Sequence, residues 1–161
     1  MAEYRKYAII VAVFAAVLYA AGLIAGLGLI SLYTDTDVIR EADAGPLIGP
    51  MMTIVAVVGT ALLLVAIGIT VPPDRVRINP AWALGIGLVI YLVYMASGGI
   101  LYAAGAGRPL GFIEFIEQRL LSPYSLVAGA LAFAITIVYQ LVLVGRFRER
   151  GRPRWPWEHD Q

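Results

Sequence analysis

The sequence predicts an all-α fold: a polytopic membrane protein built as a four-transmembrane-helix bundle, with a short amphipathic helix on its outer side. Three observations lead to this prediction. The composition is 60% hydrophobic and only 14% charged, whereas soluble domains average about 45–50% apolar and about 25% charged residues. The charged residues are absent from four long runs. Turn signals that contain proline fall at the edges of those runs.

The four uncharged runs set the predicted spans. They cover residues 7–34, 44–73, 78–107 and 120–145. A helix of about 20 residues crosses the hydrocarbon core of a bilayer, so each run is long enough to span once and none is long enough to span twice. We predict a transmembrane domain over residues 1–145, followed by a basic tail over 146–161, with spans at about 7–33, 46–71, 80–104 and 122–145.

Proline pairs mark the helix boundaries. Gly45-Pro46 precedes the second span, and the paired prolines of Val71-Pro72-Pro73 end it because proline donates no backbone hydrogen bond. Asn79-Pro80 and Ser122-Pro123 open the third and fourth spans, each as a helix-capping residue followed by proline at the first helical position.

The distribution of basic residues predicts the orientation. Nine of the twelve Lys and Arg residues lie at one side of the predicted bundle, and three, Arg40, Arg108 and Arg119, lie at the other. Cytoplasmic loops carry the excess of Lys and Arg, so we predict a multi-pass protein of the plasma membrane with both termini in the cytoplasm.

The tail supplies most of that bias. It alternates arginine with other residues and ends in two tryptophans, and we predict that it sets the topology and contacts the membrane surface. Its residues are Arg146, Arg148, Arg150, Arg152, Arg154, Trp155 and Trp157. Contact with a partner protein is an alternative, whereas nucleic-acid binding is not expected from so short and tethered a stretch.

Two connections are predicted on the outer side. The segment 35–43 carries four carboxylates, but it lacks the ligand spacing of a calcium loop. We interpret it as a solvated connector, with weak binding of a divalent cation or of a partner as the alternative. The second connection alternates apolar residues such as Phe112 and Ile116 with polar ones such as Glu114 and Glu117, which predicts an amphipathic helix on the surface. It either caps the bundle or acts as a lid or a docking surface.

Small residues inside the spans predict close helix packing. Gly22 and Gly26 form a GxxxG pattern in the first span, and Gly87 and Gly98 belong to a stripe of small residues in the third. Small residues let helix backbones approach closely in lipid. We interpret these faces as packing within the chain, with a surface for another protein as the alternative.

Hydroxyl groups near the middle of the membrane are the candidate ligand contacts. Tyr91, Tyr94 and Ser97 lie together on the third span, and buried tyrosine hydroxyls need hydrogen-bond partners. An interhelical hydrogen bond is the simpler interpretation, and contact with a quinone, a lipid or another small ligand is the alternative.

The sequence offers little for catalysis. The predicted spans contain no Asp, Glu, Lys, Arg or His, the residues that mark proton relays and ion paths in membranes. There is no cysteine, and the single histidine, His159, lies two residues from the end. We therefore predict no catalytic residue, no metal site and no cofactor.

Three stretches resemble uncharacterised four-helix membrane proteins of actinobacteria. They are Arg-Pro-Arg-Trp-Pro-Trp-Glu at 152–158, Tyr-Thr-Asp-Thr-Asp-Val at 33–38 and Asp-Ala-Gly-Pro-Leu at 43–47. The resemblance implies the fold and a membrane location, and it brings no activity or site residues.

The leading functional hypothesis is a non-enzymatic accessory or structural subunit. It would pack in the lipid bilayer against itself or against other membrane proteins. The alternative is a small channel, a carrier, or a protein that binds a lipid or small ligand. A membrane enzyme would have to use carboxylates on the outer side, such as Glu114 and Glu117.

Overall fold

The computed structural model describes residues 2–35, 47–72, 77–107 and 110–148. Its five helices are α1 (Ala2–Thr34), α2 (Ile48–Thr70), α3 (Pro80–Ala106), α4 (Gly111–Arg119) and α5 (Pro123–Arg148). No strand occurs within these ranges. The four long helices are long and apolar enough to cross a membrane, and the short α4 is the amphipathic helix. The predicted fold class is confirmed.

The start of α3 follows from its first two residues. The Asn79 side chain accepts a hydrogen bond of 3.2 Å from the backbone N–H of Trp82, and Pro80 occupies the first turn, where no intrahelical donor is needed. The helix ends at Gly107, which has a φ of 62°. Glycine adopts this left-handed conformation without a steric penalty, so it closes the helix.

The first and the last of the long helices extend beyond the uncharged runs that predicted them. Helix α1 begins at Ala2 and includes the charged residues Glu3, Arg5 and Lys6, while α5 continues to Arg148. Thirty-three residues of α1 make a helix of about 50 Å, which exceeds the roughly 30 Å of a hydrocarbon core. The charged turns at the helix ends therefore reach beyond the hydrocarbon, where charge is not penalised.

The four long helices form a closed ring. Helix α1 packs against α2 and α5, α3 packs against the same two helices, and α4 packs on α3. Consecutive long helices run in opposite directions, so α1 begins and α5 ends at the same end of the bundle, which we call the termini end. Helix α4 lies at the opposite end, which we call the α4 end.

Glycines bring α1 close to α5. A Cβ atom added to Gly22 would lie 3.0 Å from the Leu131 side chain, and one added to Gly26 would lie 3.0 Å from Val127. Both partners are on α5. The GxxxG face of the first span thus packs within the chain.

Glycines also line two sides of α3. A Cβ atom on Gly87 would lie 2.8 Å from the carbonyl oxygen of Gly129, so the backbones of α3 and α5 touch there. A Cβ atom on Gly98 would lie 2.6 Å from both Met52 of α2 and Phe115 of α4. Helix α3 is therefore held by three neighbours through positions that have no room for a side chain.

Large apolar side chains point away from the bundle. Phe14, Ile24, Leu32 and Trp82 are each more than 60% exposed. Water would disfavour such a surface, whereas hydrocarbon solvates it. The exterior of the bundle is therefore suited to lipid along its length.

Candidate functional site

A lateral pocket lies between helices at the termini end of the bundle. Its volume is about 450 Å³, and its walls come from the end of α2, the start of α3, the second half of α5 and Tyr4 of α1. Ligand sites in proteins usually measure about 300–1,000 Å³. The pocket is therefore large enough to hold part of a small molecule or of a lipid.

The pocket is lined by both apolar and polar side chains. Leu63, Ile67, Ile86 and Leu143 supply hydrocarbon surface, whereas the polar residues cluster where the helices end. These polar residues are Tyr4, Thr70, Arg77, Asn79 and Gln140. A pocket with this division fits an amphipathic molecule with its polar group toward the helix ends.

Gln140 is held in a defined position among the polar residues of the pocket. Its side chain is buried, and its Oε1 accepts a 2.8 Å hydrogen bond from the backbone N–H of Asn79. The NH2 group of the same amide carries its hydrogen-bond donors and is the part that can donate to a ligand. Asn79 is itself held by its cap of α3, so the two side chains have defined positions.

A second, shallower groove continues from the pocket along the membrane-facing side of α2 and α3. Its volume is about 400 Å³, and it shares Leu63, Trp82 and Ile86 with the pocket. Ala81 and Gly85 of α3 line it, and a Cβ atom at Gly85 would meet nothing within 4 Å. The groove exists because small residues leave a depression on this face.

The pocket residues were not predicted from the sequence as a site. Asn79 was predicted only as a helix cap, and Arg77 only as part of the charge bias. Gln140 is the one Asn, Gln or charged residue inside the predicted spans, and such polar residues in a membrane often have a specific partner. That signal could have identified Gln140 in the sequence, but only the packing of α3 against α5 shows what it faces.

The predicted hydroxyl cluster does not converge on one point. The Tyr91 hydroxyl donates to the backbone carbonyl of Leu120, and the Ser97 hydroxyl donates to the Tyr94 carbonyl within α3 at 2.8 Å. Tyr94 is 1% exposed, and its hydroxyl has no hydrogen-bond partner among the described residues. These three residues lie toward the α4 end, away from the pocket.

Arg119 is a buried charged residue that the sequence did not reveal. The sequence predicts a basic residue on the polar face of the outer segment, yet Arg119 is 7% exposed in the structure. Its guanidinium lies 5.0 Å from the centre of the Phe115 ring, which in turn stacks on Tyr102 at 5.7 Å. A cation over an aromatic face is favourable, and this cluster attaches α4 to α3.

The arginine tail is described only at its beginning. The Arg146 guanidinium lies 4.7 Å from the centre of the Tyr7 ring, so the end of α5 contacts the start of α1. Arg148 is the last residue of α5. Arg150, Arg152, Arg154, Trp155 and Trp157 lie outside the described residues, and their contact with the membrane surface stays a prediction.

The fold and its apolar exterior define a multi-pass membrane protein with four spanning helices. Comparison with protein families gives a match over residues 1–161 to a family described as "Family of unknown function (DUF6121)". The chain belongs to this family, which agrees with the uncharacterised family expected from its sequence. Searches of curated proteins and of solved structures found no match.

Proposed function

We propose that this chain is a non-enzymatic integral membrane protein that binds an amphipathic membrane component in the lateral pocket at the termini end. The observation that carries the proposal is the composition of the pocket walls. The lining combines the apolar side chains of Leu63, Ile86 and Leu143 with a set of polar residues, the polar rim, that includes Arg77 and Gln140. Small-molecule sites combine apolar surface with a few placed polar groups in this way.

The continuation of the pocket into a groove supports a ligand that arrives from the bilayer. The groove lies on the surface of α2 and α3, where Trp82 is 64% exposed and Gly85 is open. A ligand dissolved in the membrane can enter sideways along this path without crossing the packed interior of the bundle.

The role of an accessory or structural subunit remains a prediction from the sequence. The faces that suggested it are those around Gly22, Gly26, Gly87 and Gly98, and all four glycines contact helices of the same chain. These contacts account for the small residues without a partner protein. We therefore prefer ligand binding to the role of an accessory subunit. Co-purification in mild detergent tests the accessory role directly.

Photocrosslinking in a bilayer tests the proposed ligand site. The full chain would be reconstituted with equal amounts of phosphatidylcholine and phosphatidylglycerol that carry a diazirine in one acyl chain. Crosslinks mapped by mass spectrometry should concentrate at Leu63, Trp82 and Ile86. The variant Ala66→Phe, which fills the pocket, should reduce them, whereas Ala130→Phe, at an exposed position of α5 outside the pocket, should not.

An even spread of crosslinks around the membrane-facing helices would contradict the proposed site. So would an equal effect of the two substitutions. Neither result depends on which of the two headgroups the lipid carries.

We further propose that the membrane is the plasma membrane of an actinobacterium and that both termini lie in the cytoplasm. The nine-to-three distribution of basic residues supports the orientation. The stretches at 33–38, 43–47 and 152–158 support the origin through their resemblance to actinobacterial membrane proteins.

A further inference from the structure

We infer that the ligand of the lateral pocket is an anionic phospholipid, with its phosphate at Arg77 and one acyl chain in the groove along α3. This inference rests on the proposed function and specifies the ligand. It commits to a lipid of the surrounding bilayer, and a soluble anion is an outcome of the test.

The charge of the pocket selects an anionic group. Arg77 is the one charged side chain among the described residues that line the pocket, and it is exposed at the level where α3 begins. An arginine presents several N–H donors in the planar arrangement that matches phosphate oxygens. The start of α3 adds partial positive charge from its helix dipole.

The other polar groups on the rim are suited to the same ligand. The NH2 group of Gln140 can donate, and Thr70, which carries a hydroxyl, lines the same pocket. Phosphate and glycerol ester oxygens accept hydrogen bonds from such donors. The rim therefore combines one positive charge with neutral donors, as a phospholipid headgroup requires.

The direction of the groove favours an acyl chain. From Ala81 to Val89 the helix rises about 12 Å, starting at the helix end and running toward the middle of the bilayer. A phospholipid has its phosphate at the membrane surface, and its acyl chains run toward the middle of the bilayer, in the same direction as the groove. A free phosphate would leave the apolar groove unused, so the combination of pocket and groove favours a lipid.

Trp82 provides a direct readout because it lines both the pocket and the groove. The chain has three tryptophans, so Trp155→Phe and Trp157→Phe leave Trp82 as the single tryptophan, which is excited selectively at wavelengths that tyrosine does not absorb. The full chain in this background would be reconstituted with phospholipids that are brominated on their acyl chains. Bromine quenches tryptophan fluorescence on contact, and mixtures give the relative affinity of phosphatidylglycerol over phosphatidylcholine at this site.

Brominated phosphatidylglycerol should bind next to Trp82 about fivefold more tightly than brominated phosphatidylcholine, the ratio expected for one basic residue near the surface. Arg77→Gln should abolish this preference, and Arg77→Lys should retain most of it. Arg5→Gln is the matched control, because Arg5 is exposed at the same end of the bundle but does not line the pocket.

The groove has its own matched pair. Gly85→Leu should fill the groove and reduce quenching by either lipid, whereas Gly28→Leu should leave it unchanged. Both glycines lie on long helices, and a Cβ atom at either position meets nothing within 4 Å.

The quenching and crosslinking results distinguish a failure of the anionic-lipid inference from a failure of the proposed function. Equal affinity for the two lipids, or a preference that survives Arg77→Gln, would overturn the anionic lipid. Photocrosslinks at the pocket would still support the broader function in that case. Suppression of the preference by millimolar inorganic phosphate, with no response to Gly85→Leu, would identify a soluble anion and also overturn the lipid inference.

Discussion

Tyr19 and Tyr94 are both fully buried tyrosines, but their hydroxyls differ in what they contact. The Tyr19 hydroxyl on α1 donates a 3.1 Å hydrogen bond to the Ala128 carbonyl on α5, whereas the Tyr94 hydroxyl has no hydrogen-bond partner among the described residues. Removal of a hydroxyl should therefore matter at only one of the two positions.

We expect Tyr19→Phe to reduce the free energy of unfolding by about 1 kcal/mol, within the range measured for hydrogen bonds between membrane helices. Tyr94→Phe should leave it unchanged, because it removes a polar atom that makes no hydrogen bond. Reversible unfolding in mixed micelles, followed by circular dichroism, gives both values. A larger loss for Tyr94→Phe would show that its hydroxyl has a partner in the membrane.

Gly68 lies where three helices meet at the termini end. A Cβ atom there would contact the Tyr139 hydroxyl and would lie 2.9 Å from Cβ of Ala8. The Tyr139 hydroxyl donates to the Ala8 carbonyl at 3.4 Å, so the tyrosine cannot move away without losing this bond. The position has no room for even a methyl group.

Gly68→Ala should therefore destabilise the protein by about 1–3 kcal/mol, the usual cost of overpacking. The control Gly28→Ala has open space around it and should be neutral or stabilising, because alanine favours a helix more than glycine does. Combining Gly68→Ala with Tyr139→Phe should cost less than the two changes added together, since the second removes one of the clashing atoms. Equal melting temperatures for Gly68→Ala and Gly28→Ala would disprove this packing.

Single residues show what the sequence could and could not predict. Asn79 was recognisable as a helix cap because capping depends on the next few residues of the chain. Arg119 was not recognisable as buried, because its burial depends on α4 folding back onto α3. The sequence also does not show that Arg77 and Gln140 line one pocket, because these residues are more than sixty positions apart in the chain.

At the scale of elements, α4 shows how an amphipathic segment is held on a membrane bundle. Its buried face carries Phe115 and Arg119, while Ile113 is 62% exposed on the other face. Phe115 fills the space above Gly98 and stacks on Tyr102. The amphipathic pattern predicted the helix, but the contact with a glycine on α3 explains why it lies there.

Phe115→Ala should release α4 from the bundle, because truncating a buried phenylalanine costs about 3–5 kcal/mol in well-packed cores. Trypsin cleaves after arginine, and burial of Arg119 should protect that bond in the unmodified protein. We expect cleavage after Arg119 to be at least tenfold faster in Phe115→Ala than in the control Ile113→Ala, as measured by mass spectrometry of the fragments. Similar rates in the two variants would show that Phe115 does not anchor the helix.

At the scale of the whole molecule, the hydropathy pattern was sufficient to predict four long apolar helices, of which the first begins and the last ends at the same end of the bundle. Hydrocarbon requires each spanning segment to satisfy its own backbone hydrogen bonds, so long apolar runs have few alternatives to a helix. The same pattern does not predict which helices are neighbours. The ring in which α1 and α3 each pack against α2 and α5 is set by side-chain fit, and the lateral pocket arises from that fit.

The orientation of this ring in the membrane is a prediction about the whole molecule, and the chain is well suited to test it because it contains no cysteine. Glu3→Cys and Gln118→Cys place single thiols at exposed positions of the termini end and the α4 end, and His159→Cys places one in the tail. If the excess of basic residues holds the termini in the cytoplasm, a membrane-impermeant maleimide should label Gln118→Cys in intact cells. It should label the other two only after the membrane is opened.

The reverse labelling pattern would invert the orientation and leave the fold intact. Labelling of both Glu3→Cys and Gln118→Cys in intact cells would contradict the placement of the two ends on opposite sides of the membrane.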